Sequence, residues 1–203
     1  MAWEGKPMKT KIAVGALLAA LLVVAVYQGN RWARSGGEIW ESAETRALRQ
    51  ADQWPRIPQM IARQIVEKYG PPEVVSKDKM EWGAHWPWKR IVVSNTPLSP
   101  LEQAVEYRVP GNKLADLARY PHGLTVNSGA GELSARGDRE SLNRLTLNLA
   151  HDIVLGKRTP EQASRFFLRT IDLAVAGKSS PYMERLLFDV PDERVDRYPA
   201  ARF

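Results

Sequence analysis

The hydrophobic pattern divides the chain into zones of different period. The first is an uninterrupted apolar run from Ile12 to Tyr27 (IAVGALLAALLVVAVY), which carries no charge and no polar face. A bilayer span needs about 20 residues, but a helix from Lys11 to Arg31 rises roughly 30 Å when both end groups extend to the headgroups. The pattern therefore predicts a cytoplasmic arm over 1–11 and a transmembrane anchor over 12–30. A cleaved signal peptide is the rival reading, but its small-residue cleavage site does not follow closely: Ala33-Arg34-Ser35 is distant and contains arginine. Trp32 beside the flanking cations reads as an interface anchor. Gly15 with Ala19 and Ala16 with Ala20 place small residues four apart, where a second helix can approach.

The period changes after Ser35-Gly36-Gly37. From Glu38 to Gln53, Ile39, Trp40, Ala43, Ala47 and Leu48 recur at helical spacing, which predicts an amphipathic juxtamembrane helix within a segment over 31–57. Trp32, Trp40 and Trp54 are expected either in the headgroup region or on a partner, or packed on the domain itself. An extrinsic domain is expected over 58–190. It begins with a helix from Pro58 to Lys68, with Met60, Ile61, Ile65 and Val66 inward, stopped by Gly70-Pro71-Pro72.

Alternation then replaces the helical period. Glu73–Ser76, Met80–Trp82, Arg90–Ser94 and Gln103–Val109 read as strands, Leu114–Arg119 as a short helix, and Leu124–Asn127 with Glu132–Arg136 as a hairpin around Ser128-Gly129-Ala130-Gly131. Two helices follow. Ser141–Leu155, capped by Asp138 or Ser141, ends at Gly156, and Thr159-Pro160-Glu161-Gln162 offers a cap, a first-turn proline and a capping box for a helix to Ala176. Strands in the middle with helices at both ends predict an α+β fold: one transmembrane helix followed by a small antiparallel sheet packed with helices. The residues from 191 to 203 read as a tail.

The formal charge of +6 changes this picture only by where it falls. Residues 1–34 hold five basic residues against one acidic; the remaining 24 basic and 22 acidic residues leave +2 for all the rest. Nucleic-acid binders concentrate their excess on the folded domain, so no nucleic-acid partner is expected. Three lysines precede the apolar run and two arginines immediately follow it, which favours a cytoplasmic N-terminus and, in a bacterial inner membrane, a periplasmic domain. Cysteine is absent, which excludes disulfides and thiolate chemistry.

Candidate chemistry is sparse. His85, His122 and His151 are far apart, and His151 and Asp152, adjacent on a helix, point to different faces. Phosphate-cradling, dinucleotide and serine-nucleophile motifs are missing. Arg136-Gly137-Asp138 spells an adhesion tripeptide that is more simply a helix entry. Glu81 and Glu132 are an acid–base pair only if the fold brings them together. Trp82, Trp86 and Trp88 are a possible binding cluster, with core or sheet cover as the competing reading. No catalytic residue, metal or cofactor is expected, although lipids or neighbouring pigments can touch the span.

The stretch from about Lys68 to Phe188 resembles an uncharacterised family of bacterial proteins, through KYGPPEVV, WGAHWPWKRIVV, LEQAVEYRVP, GELSAR, LNLAHDIVLGKRT and PYMERLLF. The resemblance implies one domain there and no assigned activity. The layout of arm, span, tryptophan-rich juxtamembrane helix and extrinsic domain resembles accessory subunits of bacterial phototrophic reaction-centre complexes. Together these readings give the expectation of a non-enzymatic, membrane-anchored subunit that holds other membrane proteins together. An independent envelope protein binding a small molecule, lipid or cell-wall fragment is the alternative.

Overall fold

The computed structural model describes residues 41–191. The expected anchor, with Lys11, Gly15, Ala16, Ala19, Ala20, Arg31 and Trp32, lies outside them, as do Trp40 and nearly all of the tail. Among the described residues no helix is long and apolar enough to cross a membrane. The compact unit begins at Ser42. The segment 42–57, expected as juxtamembrane helix and linker, is therefore part of the domain.

The fold is α+β. In chain order the elements are α1 (Ala43–Ala51), α2 (Arg56–Tyr69), β1 (Val74–Val75), β2 (Lys79–Trp82), β3 (Arg90–Ser94), β4 (Leu101–Glu106), a 3-10 turn at Gly111–Lys113, α3 (Leu114–Ala118), β5 (Leu124–Asn127), β6 (Glu132–Gly137), α4 (Glu140–Val154), α5 (Pro160–Val175) and α6 (Pro181–Glu184). The six strands form one sheet in the order β1-β2-β3-β4-β6-β5, every neighbouring pair antiparallel.

Local chemistry accounts for most boundaries. Ser42 caps α1 by accepting from the Thr45 amide at 3.0 Å. The capping box at Thr159 and Gln162 forms as the sequence predicts. The cap expected for α4 does not: Arg139 is its N-cap without a side-chain bond, and Asp138 pairs with Arg139 instead. Strand β4 starts at Leu101, two residues earlier than expected, and ends at Glu106, before Pro110. Gly123, at φ +70°, leads into β5 while its carbonyl accepts from the Arg136 amide at 2.9 Å; a β-carbon there would sit 2.4 Å from the Arg136 oxygen. Only glycine fits that turn.

The register sorts the side chains into two faces, because cross-strand partners share a side. Trp82, Ile91, Gln103, Ala135 and Leu124 form one row, flanked by Met80, Val93 and Leu101 and by Val105, Leu133 and Val126. This face meets the helices: the Asn143 amide of α4 donates to the Leu101 carbonyl at 3.2 Å and to Gln103 Oε1 at 3.0 Å. On the other face Glu102 accepts from Arg90 and Arg136, each at 2.7 Å. Buried Ala104 and Ser134 lie on that same side.

The first two helices correct two expectations. Trp54, read as a candidate interface or partner residue, is buried in the core with Ala47, Ala51, Ile61 and Ile65, and its indole donates to the Lys77 carbonyl at 2.8 Å. Met60, expected inward, is 50 % exposed. Helix α2 begins at Arg56 and runs one residue past the expected end, and its inward stripe is Pro58, Ile61, Ala62, Ile65 and Val66.

Removing a buried tryptophan forfeits both its transfer free energy and its packing. Trp54→Ala should cost about 3–5 kcal/mol, whereas Trp86→Ala, on an exposed loop, should cost under ~1 kcal/mol. Urea unfolding followed by far-UV circular dichroism distinguishes the two.

Candidate functional site: the tryptophan loop and the C-terminal strap

The three clustered tryptophans separate in space. Trp82, at the end of β2, is buried and donates to the Gly70 carbonyl at 2.9 Å. Trp88 is buried and its indole nitrogen reaches Tyr69 Oη at 3.0 Å and Glu140 Oε1 at 3.1 Å. Trp86 alone is exposed, 55 %, at the tip of a tight loop closed by paired backbone bonds between His85 and Trp88. The Trp86–Pro87 peptide is cis. A shared aromatic platform is thus not what this segment builds. Two rings are core and one is a surface group.

Beneath the loop lies a polar hub on Glu140, the first residue of α4. Its Oε1 accepts from Tyr69 Oη at 2.9 Å, from Trp88 and from Arg144, and its Oε2 accepts from Lys68 at 2.7 Å. Burial pushes this carboxyl up, but the bonds and charges of Lys68, Arg144 and Tyr69 outweigh that and hold it below the usual carboxylate range. Burial, and then the neighbouring Glu140 charge, push the Tyr69 hydroxyl well above its ordinary value. His85 stands edge-on to Tyr69 with ring centres 5.4 Å apart. With four donors on one carboxylate, Glu140 has little capacity left to accept a substrate proton; it fastens α2 and the loop to the positive end of α4.

Further along α4, three side chains hold the segment that follows α5. Asn148 is fully used: its amide donates to the Tyr182 and Arg185 carbonyls at 2.9 and 2.8 Å, and its oxygen accepts from the Leu187 amide at 2.7 Å. Asp152 accepts from Tyr182 Oη at 2.8 Å and from Arg158, whose guanidinium lies over Phe166, 4.4 Å from the ring centre. His151 shares a hydrogen bond with Tyr107 Oη at 2.8 Å and stacks on Phe188, with ring centres 4.8 Å apart. As the sequence predicts, His151 and Asp152 diverge, yet both end on this strap. Its far end reaches the tryptophan loop, where Trp86 donates to the Val190 carbonyl at 3.4 Å.

The other sequence candidates stay apart. Glu81 pairs with Lys79 on β2, while Glu132 of β6 lies near Lys89 and Arg90. Two strands stand between β2 and β6, roughly 14 Å of sheet, so they form no acid–base pair. His122 stacks on Phe167 at 3.9 Å, remote in sequence from the other histidines. Among the described residues no group of three or more histidines and carboxylates is placed to hold a metal ion. Arg136 of the adhesion-like tripeptide is bound to Glu102 within β6, and Gly137 is buried. A polar cleft of about 390 Å³ lies between Glu106, Arg108 and Val109 and the turn Ser128–Gly131, and holds none of the candidate residues.

Sequence reasoning missed the hub and the strap contacts. The available signal was polar residues on the apolar stripe of α4: Asn143, Asn148 and Asp152 occupy positions where the period calls for leucine. No family model, curated protein or solved structure matches the chain.

Two outcomes follow from these contacts. Glu140→Gln should lower stability at pH 7 by ~2 kcal/mol. Because the folded carboxyl titrates below its unfolded value, that contribution is present above the ordinary carboxylate range and is lost as pH falls through the lower folded value. The gap between wild type and variant should therefore narrow in urea titrations repeated at progressively lower pH below 4. Asn148→Leu removes all three of its bonds from the partly buried strap backbone and should cost about 1–3 kcal/mol. Hydrogen exchange should then accelerate at Leu187 and its neighbours while strand β4 keeps its protection.

Proposed function

We propose that the chain is a non-enzymatic, membrane-anchored accessory subunit whose span packs among other helices while its extrinsic domain holds neighbouring proteins in place. The observation that carries this reading is the charge-free run Ile12–Tyr27 between Lys11 and Arg31, followed in the chain by a compact α+β unit. A domain of that kind needs contact surface rather than reactive groups. The exposed apolar side chains Trp86, Leu98, Leu168 and Val175 supply candidate contacts. The layout resemblance to accessory subunits of phototrophic reaction-centre complexes fits the same reading, with the domain on the periplasmic side of a bacterial inner membrane. The alternative, an envelope protein that binds a small molecule, lipid or cell-wall fragment in the sheet or beside the tryptophan cluster, keeps Trp86 as the one exposed ring of that cluster.

Membranes from the native source should retain the chain through alkaline carbonate, and mild detergent should release it within a larger assembly that mass spectrometry resolves into partner subunits. A carbonate-soluble chain, or a monodisperse monomer in detergent, overturns the proposal.

A further inference from the structure

Helix α2 presents apolar side chains where a helix facing water should be polar. Met60, 50 % exposed, stands opposite the buried stripe of Pro58, Ile61, Ala62 and Ile65; Ile57, 45 % exposed, is three residues away and exposed Arg56 is four away. At these spacings the three form one patch on the first turn. Arg46, one turn into α1, is also exposed. Neither Arg46 nor Arg56 has an ion-pair or side-chain hydrogen-bond partner among the described residues, whereas Arg63 is held by Asp52 together with Gln59.

Among the described elements these helices are the nearest in the chain to the apolar run. Eleven residue steps separate Arg31 from the α1 cap at Ser42, a contour of at most roughly 40 Å. With Trp54 sealed in the core, the exposed side chains here include a methionine, an isoleucine and two uncommitted guanidinium groups, with Glu44 exposed on the first turn of α1 beside them in sequence. That combination suits the boundary between headgroups and acyl chains: the apolar pair is withdrawn from water while the cations sit against lipid phosphates.

The geometry points to the first turn of α2, with Arg46 of α1, as the surface that rests on an anionic lipid bilayer, Ile57 and Met60 entering the headgroup layer and Arg46 and Arg56 facing phosphate. This inference rests on the proposed anchor, and its test separates the two.

The chain contains no cysteine, so single cysteines accept an environment-sensitive fluorophore without further engineering. Full-length Met60→Cys, Leu98→Cys and Val175→Cys are labelled and reconstituted into vesicles of phosphatidylcholine with about one quarter phosphatidylglycerol, with and without headgroup-nitroxide lipid. The label at 60 should be blue-shifted and quenched several-fold more than those at 98 and 175, and Arg46→Glu with Arg56→Glu should remove most of that difference. Quenching at 60 equal to that at the two controls overturns the inference, as does a label shielded from water but untouched by nitroxide lipid, which indicates protein cover instead. Quenching that survives both charge reversals overturns the role of the arginines. If the chain floats with the vesicles through carbonate and the label at 60 stays wet, the anchor stands and this inference falls. If it does not float, both fall.

Discussion

A helix buried on nearly every side has to dispose of its polar groups inside the protein, and α4 imposes that constraint on the whole domain. Its apolar positions, Leu145, Leu147, Leu149 and Ile153, are fully enclosed, as are Asn143, Asn148 and Asp152 beside them. Each buried polar group left unpaired costs about 1–3 kcal/mol, and the surroundings supply partners for most of them, the Asn143 side-chain oxygen being the exception on this helix. Tyr69, Trp88 and Lys68 converge on Glu140, the Leu101 carbonyl and Gln103 meet Asn143, and the strap backbone meets Asn148. One helix thereby ties together α2, the tryptophan loop, the sheet and the strap.

This arrangement explains why the most chemically suggestive cluster is not a reactive one. A carboxylate beside a tyrosine, a histidine, a lysine and an arginine has the ingredients of acid–base chemistry. Here the cations and hydroxyl are spent on the carboxylate, which stays ionised and fixed. The charge-assisted bonds offset the cost of burying the group and set the position of the helix start.

Sequence made the elements legible where a single period dominated. Leu124–Asn127 alternates cleanly and Arg90–Ser94 is a short β-branched run, and both occupy the expected residues; Thr159 with Gln162 forms the expected cap because that motif acts within one turn. Position within the domain was less legible. Met60 fits the inward stripe by hydrophobicity but not by angle, and Trp54 looks like an interface residue until tertiary packing encloses it against Ala47 and Ile61. The hub was invisible because Tyr69, Trp88 and Glu140 are separated by up to 71 residues and meet only through the fold. Residues such as Asn148 signal only that something polar must approach from elsewhere in the chain.

The strap carries a consequence for how the domain comes into being. Residues 182–188 supply every bond of Asn148, the Tyr182 bond to Asp152 and the Phe188 ring against His151, so while synthesis proceeds through β6 and α4 those contacts are missing. Packing of the sheet against α4 can begin early, but its opposite flank stays open until the ribosome has released the segment beyond α5. Maturation is therefore a late event for this chain, and any factor that shelters the half-made protein has to cover the outer side of that helix rather than the sheet.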